Sequence, residues 1–199
     1  NDIFNIDVDP SVSDDPDFLM DVNMGAGDDR AILTGANNLN NISIDGGTGN
    51  NTFVTDTDIG LDADHEFASF TNFQNLEIEG GGSTVDFTEL DGVTSVVVAT
   101  DAAADTTLID LAVNNGIVLS GKNQTIGNAS NADQDFGDIN VLGADGAEMT
   151  VTLQNTARID GELYVDQLII DDENVVTNQS AVRTLNIVSA GARNTTNEI

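Results

Sequence analysis

Two glycine-rich turns carry the side chains best suited to chemistry. Met24-Gly25-Ala26-Gly27-Asp28-Asp29 runs into Arg30-Ala31-Ile32, and Asp45-Gly46-Gly47-Thr48-Gly49-Asn50-Asn51 runs into Thr52-Phe53-Val54. Glycine takes positive φ without steric cost, so turns of this kind can bring backbone carbonyl oxygens together. With carboxylate and amide oxygens beside them, they form a set of hard ligands of the sort calcium accepts. The first turn offers Asp28, Asp29 and the carbonyls around Gly25 and Gly27. The second offers Asp45, Asn51 and the carbonyls around Gly47 and Gly49. The expectation is calcium at these turns, stacked closely enough to share an ion. Glycine turns that hold no metal are the competing reading. A further acidic stretch, Asp56-Thr57-Asp58-Ile59-Gly60-Leu61-Asp62-Ala63-Asp64-His65-Glu66, makes Asp56 and Asp58 candidate ligands. An EF-hand loop would need Gly where Leu61 stands, and a solvated acidic loop is the alternative.

Other chemistry has little to work with. The chain holds one His (His65), one Tyr (Tyr164), one Lys (Lys122), no Cys and no Trp. A Ser-His-Asp triad would have to use His65, which has no nucleophile motif near it. Carboxylates are plentiful, but nothing singles out a glycosidase-type pair, and aromatic platforms for a sugar are scarce. The expectation is therefore a protein that is not an enzyme. Without Cys there is no disulfide and no thiolate metal site.

The elements that must position these turns are short strands. Asp and Glu number 35 against 5 Lys and Arg, for a net charge of -30 over 199 residues. Such a chain repels itself unless salt or bound cations screen it, and it has no basic patch to meet the phosphates of a nucleic acid. A halophile's need for salt would account for the charge equally well. Yet 39% of the residues are apolar, and they recur in short runs between Gly, Asn and Asp clusters, which argues against a disordered acidic tail. No apolar run is long enough to enter a membrane as a helix. Strands are expected at Ala31–Leu33, Ile42–Ile44, Phe53–Val54, Leu76–Ile78, Thr84–Phe87 and Ser95–Val98. Further ones are expected at Thr107–Ile109, Ile117–Leu119, Ile139–Leu142, Met149–Leu153, Leu163–Val165, Leu168–Ile170 and Leu185–Val188. Leu76, Val96, Val118, Val141, Leu163 and Leu185 recur at about 20–24 residues, a solenoid spacing. Glu66–Phe73 has aromatics at every third position and reads as a helical turn packed on the core.

The fold expected is all-β: a parallel β-solenoid, of β-helix or β-roll type, with about 20–24 residues per coil. An antiparallel β-sandwich is the alternative. Residues 24–199 would form the solenoid. Residues 1–23, with the alternating stretch Ile3–Val8 and both prolines, Pro10 and Pro16, would be an N-terminal cap, a linker or a strand that pairs with a neighbouring subunit. The absence of an initiator Met suggests a mature or excised piece of a longer protein.

The order Val22-Asn23-Met24-Gly25-Ala26-Gly27-Asp28-Asp29, Ile42-Ser43-Ile44-Asp45-Gly46-Gly47-Thr48-Gly49, then Phe70-Thr71-Asn72-Phe73-Gln74-Asn75-Leu76-Glu77-Ile78 resembles the repeats-in-toxin type solenoids of bacterial surface-layer proteins and large adhesins. Their nonapeptide is G-G-x-G-x-D-x-U-x, with Asp29 and Asn51 here in the Asp place. The chain departs from it at Met24, Ala31 and Asn51. The resemblance implies secretion by a type I route, calcium-triggered folding outside the cell, and assembly into a lattice of identical subunits at the cell surface. A monomeric adhesin or a module that binds cell-surface polysaccharide is the second reading.

Overall fold

The computed structural model describes residues 1–7, 19–34, 42–56, 69–80, 82–90, 92–99, 104–111, 116–120, 134–142, 148–155, 162–171, 182, 184–191 and 196–199. Within them lie eighteen strands. In chain order these are β1 (Ile3–Asp7), β2 (Met20–Asn23), β3 (Arg30–Thr34), β4 (Ile42–Asp45), β5 (Thr52–Thr55) and β6 (Ser69–Thr71). Then come β7 (Asn75–Ile78), β8 (Thr84–Asp86), β9 (Ser95–Val98), β10 (Thr106–Ile109), β11 (Gly116–Ser120) and β12 (Gln134–Phe136). Last are β13 (Ile139–Leu142), β14 (Glu148–Asn155), β15 (Glu162–Val165), β16 (Leu168–Asp171), β17 (Thr184–Gly191) and β18 (Thr196–Glu198). A single 3₁₀ turn, Phe87–Glu89, is the only helical element among the described residues. It starts at Asp86, whose carboxylate accepts the Thr88 N–H at 2.8 Å.

The strands sort into four sheets. The largest has eight strands in the order β1-β3-β5-β7-β9-β11-β14-β17, and the others run β16-β13-β10-β8, β12-β15-β18 and β2-β4-β6. Every strand pairing among the described residues is parallel. That removes the antiparallel sandwich. Parallel neighbours cannot be joined by a tight hairpin, so the chain visits another sheet before it returns. We call the stretch from one strand of the large sheet to the next a tier.

Side chains alternate across these strands. In β4 and β10 every second residue is buried, and the residues between are half-exposed. The register then lines the buried residues up into columns. Phe4 lies beside Ala31, Ala31 beside Phe53, Phe53 beside Leu76, Leu76 beside Val96, Val96 beside Ile117, Ile117 beside Val151, and Val151 beside Ile187. The six interior members of this column are 0% exposed. A parallel column runs from Ile6 through Leu33, Thr55, Ile78, Val98, Leu119 and Leu153 to Ser189. No single tier could bury its apolar face alone; each is covered by those before and after it. Phe53 stacks on Phe70 with ring centroids 4.6 Å apart and meets Phe73 at 5.4 Å, which fixes the early tiers together.

Two sequence expectations change on this register. The Leu76–Leu185 series is not one column. Leu76 and Val96 are partners, but Val118 sits one place off, Val141 belongs to the β13 sheet and Leu163 to the β15 sheet. The step in the large sheet is 22 residues from Arg30 to Thr52 and 23 from Thr52 to Asn75. It lengthens to 34 from Ile117 to Val151, where β12 and β13 are inserted in one tier. The helical turn read at Glu66–Phe73 is a strand at Ser69–Thr71, because Ser43, Ile44 and Asp45 supply a parallel ladder for it; Glu66 to Ala68 lie outside the described residues. The alternating stretch at the start of the chain forms β1, which pairs with β3 along one edge.

Candidate functional site

The two glycine turns are conformational copies stacked one on the other. Gly25 and Gly27 have φ of 83° and 145°, and Gly47 and Gly49 have 73° and 137°. Ala26 pairs with Thr48 as a parallel bridge, with Thr48 N–H donating to Gly25 O at 2.8 Å and Gly27 N–H to Thr48 O at 2.9 Å. The backbones approach so closely that a Cβ on Gly47 would overlap the Gly25 carbonyl, and one on Gly49 the Gly27 carbonyl. Glycine is thus required here twice over, by φ and by space.

Each turn opens with an Asx residue that accepts the N–H two places on. Asn23 Oδ1 accepts from Gly25 at 3.0 Å, and Asp45 Oδ1 accepts from Gly47 at 2.8 Å. Asp45 also accepts from Asn23 Nδ2 at 3.1 Å and from Asn72 Nδ2 at 2.7 Å. The Asn72 amide, and then the Gly47 N–H, hold the Asp45 carboxyl below the usual carboxylate range, partly opposed by burial. Its two oxygens thus accept from two side-chain amides and one backbone N–H.

At the far end of the turns, two ladders of side-chain oxygens run from tier to tier. On the outer one, Asp28 N–H donates to Asn1 Oδ1, and Asn50 N–H donates to Asp28 Oδ1, both at 2.9 Å. On the inner one, Asp2 N–H donates to Asp29 Oδ1 at 2.6 Å, Asp29 N–H to Asn51 Oδ1 at 2.9 Å, and Asn51 N–H to Gln74 Oε1 at 2.8 Å. The inner ladder is the column immediately before the large sheet. Sequence reasoning marked Asp29 and Asn51 but missed Asp2 and Gln74, which the register alone reveals.

Asp29 and Asn51 differ in one atom that decides the chemistry. Both are buried, and Asp29 is the one buried acid among the described residues. Asn51 spends its amide nitrogen on backbone carbonyls, Asn72 O at 3.0 Å and Gly47 O at 3.5 Å. One tier earlier the carbonyl equivalent to Gly47 O is that of Gly25. Asp29 cannot donate to it as a carboxylate. Its Oδ2 is buried without a hydrogen-bond partner. The Asn1 α-amino group lies 3.7 Å from Oδ1.

Among the described residues no three His, Asp or Glu side chains converge on one point. A cation at Asp29 would therefore take most of its ligands from carbonyls, as calcium readily does. The residues fit such an ion at Asp29, where an oxygen lacks a partner, and not at Asn51, where an amide already occupies the carbonyls. Asp28 stands exposed on the outer ladder. Asp56 is exposed just past β5, where a Cβ on Gly80 would overlap its backbone carbonyl, so the next tier packs on that backbone. Asp58 lies outside the described residues. The structure thus brings Gly25, Gly27, Asp28, Asp29, Asp45, Gly47, Gly49 and Asn51 together in one stack, with Asp56 on the other side of β5.

Comparison with protein-family models, with curated proteins and with solved structures finds no match.

Proposed function

We propose that this chain is an extracellular structural protein of the surface-layer kind: a β-solenoid subunit whose folding and self-assembly depend on calcium. The observation that carries the reading is Asp29 Oδ2, a buried carboxylate oxygen without a partner in a turn rich in carbonyls. A buried acceptor without a partner costs about 1–3 kcal/mol, and more when charged, which a divalent cation bound by that oxygen and its neighbouring carbonyls would offset. The stacked turns and the chain's resemblance to repeats-in-toxin solenoids support the same reading. So does the net charge of -30, which bound cations would reduce. In low calcium such a chain folds with a smaller margin of stability; outside the cell, binding contributes directly to folding.

The test is a calcium titration at constant ionic strength, read by circular dichroism and light scattering, with magnesium and sodium chloride in parallel. A gain of β signal specific to calcium, followed by growth in particle size, is the expected result. Full β signal in chelator, unchanged by calcium, would refute it. An equal response to sodium chloride would assign the charge to salt screening instead.

A further inference from the structure

The inner ladder has three rungs, and one of them differs in kind. Asn51 N–H donates to Gln74 Oε1 and Asp29 N–H to Asn51 Oδ1, so both of these end on a side-chain amide. At Asn51 the nitrogen of that amide is itself bonded to Asn72 O and Gly47 O, which holds the acceptor in place. The third rung, Asp2 N–H to Asp29 Oδ1 at 2.6 Å, ends on a carboxylate. That side chain is 0% exposed, and its second oxygen has no partner.

Asp29 and Arg30 clasp Asp2 between them. Asp29 takes the Asp2 N–H, and Arg30 N–H donates to Asp2 O at 2.9 Å. Asp2 stands immediately before β1, whose ladder with β3 then runs from Ile3 beside Arg30 to Asp7 beside Thr34. The clasp therefore sets where the β1–β3 pairing starts.

The two oxygens of Asp29 belong to one planar group and move together. A buried charged oxygen without a partner is costly. Rotation of the side chain toward water relieves that cost, but it carries Oδ1 off the Asp2 N–H. A cation on Oδ2 relieves it with the carboxylate left in place. Resting on the calcium reading above, we infer that calcium at Asp29 is a clamp on β1. With the ion bound, Asp29 keeps Asp2 and the strand after it in register. Without it, the carboxylate turns away and β1 frays from β3, beginning at Asp2. The coupling is reciprocal, so a docked β1 raises the affinity of Asp29 for calcium. The effect is local to this tier, whereas screening of the net charge of -30 acts on every tier.

The test is amide hydrogen exchange followed by NMR on the full chain, in calcium and in chelator at one ionic strength. β9, four tiers on, is the internal reference. Calcium should slow exchange in β1 by roughly 5-fold or more beyond any change in β9. Among the protected amides the effect should be largest near Asp2 and smallest near Asp7. In Asp29→Asn, where an amide can fill both roles as it does at Asn51, β1 should be equally protected with and without calcium. Asp2→Pro removes the N–H and keeps the carbonyl; its calcium Kd, by titration calorimetry, should rise by roughly 5-fold or more. Should Asp2→Pro not fold, the exchange comparison of wild type with Asp29→Asn decides alone. The inference is overturned if β1 and β9 answer calcium alike, if β1 of Asp29→Asn still answers to calcium, or if a folded Asp2→Pro binds calcium as wild type does. Calcium uptake with a gain of β signal and an unmoved β1 would leave the calcium reading standing while this inference falls. A wild type that takes up no calcium in the calorimeter would overturn the reading itself, and the clamp with it.

Discussion

Asp29→Asn replaces the buried carboxylate by the residue that the next tier already uses. Oδ1 of the new amide can still accept the Asp2 N–H, as Asp29 does at 2.6 Å. Its Nδ2 stands where Asn51 Nδ2 stands one tier on, and can donate to the Gly25 carbonyl. A buried acceptor without a partner costs about 1–3 kcal/mol, and more when charged. In chelator the variant should therefore be more stable than wild type by about 1–3 kcal/mol. For a chain of this size each kcal/mol moves Tm by about 2–4 °C, which thermal unfolding followed by circular dichroism resolves. Calcium reverses the order. An ion at a hundred times its Kd stabilises the wild type by about 2.7 kcal/mol, and the variant, lacking the ligand, should gain almost none of it. A variant less stable than wild type in chelator would refute the reasoning, because the carboxylate would then be serving the fold without an ion. So would an undiminished calcium response in Asp29→Asn.

The converse substitution, Asn51→Asp, removes the donor to Asn72 O; it should cost about 1–3 kcal/mol in chelator and steepen the calcium dependence of Tm. Gly49→Ala should destabilise by about 3 kcal/mol or more in denaturant melts, since its Cβ meets the Gly27 carbonyl. Gly25→Ala, with nothing within 4 Å, should cost only the left-handed backbone's about 1–2 kcal/mol. Asn72→Gly keeps the φ of 60° but deletes the largest cause of the lowered Asp45 pKa. Asp45 is depressed in the fold, so its contribution is present above the ordinary carboxylate pKa and is lost as pH falls through the folded value, below 3.8. The variant should shift that acid loss to higher pH, and a carboxyl NMR titration of Asp45 would show the rise directly. Phe53→Ala, which empties the stack with Phe70 and Phe73, should cost about 3–5 kcal/mol by the same melts.

Much of this architecture is legible in the order of residues. Apolar pairs and triplets between Gly, Asn and Asp clusters mark most strands, because an inward side chain must be apolar and a turn must tolerate unusual φ. The likeness of Met24–Asp29 to Gly46–Asn51 shows the turn repeat before any coordinates. The polar strands were not legible. Gln134–Phe136 and Thr196–Glu198 have no apolar alternation, and exist as strands because Leu163, Tyr164 and their neighbours offer a parallel ladder. Ser69–Thr71 carried a helical spacing of aromatics that the ladder from Ser43–Asp45 overrides.

For the candidate site the division is sharper. Residue types alone determined that the turns are rich in glycine, that oxygen ligands crowd them, and that the chain bears a charge in need of screening. They also determined the difference between Asp29 and Asn51 as acid and amide. What that difference means was decided by tertiary structure. Stacking puts both side chains on one inner ladder, satisfies Asp45 through Asn23, Gly47 and Asn72, and leaves Asp29 Oδ2 buried without a donor. The physical reason is that a ligand set depends on which oxygens face each other across tiers some twenty residues apart. Composition supplies the oxygens, and only the parallel register of neighbouring strands says which of them meet.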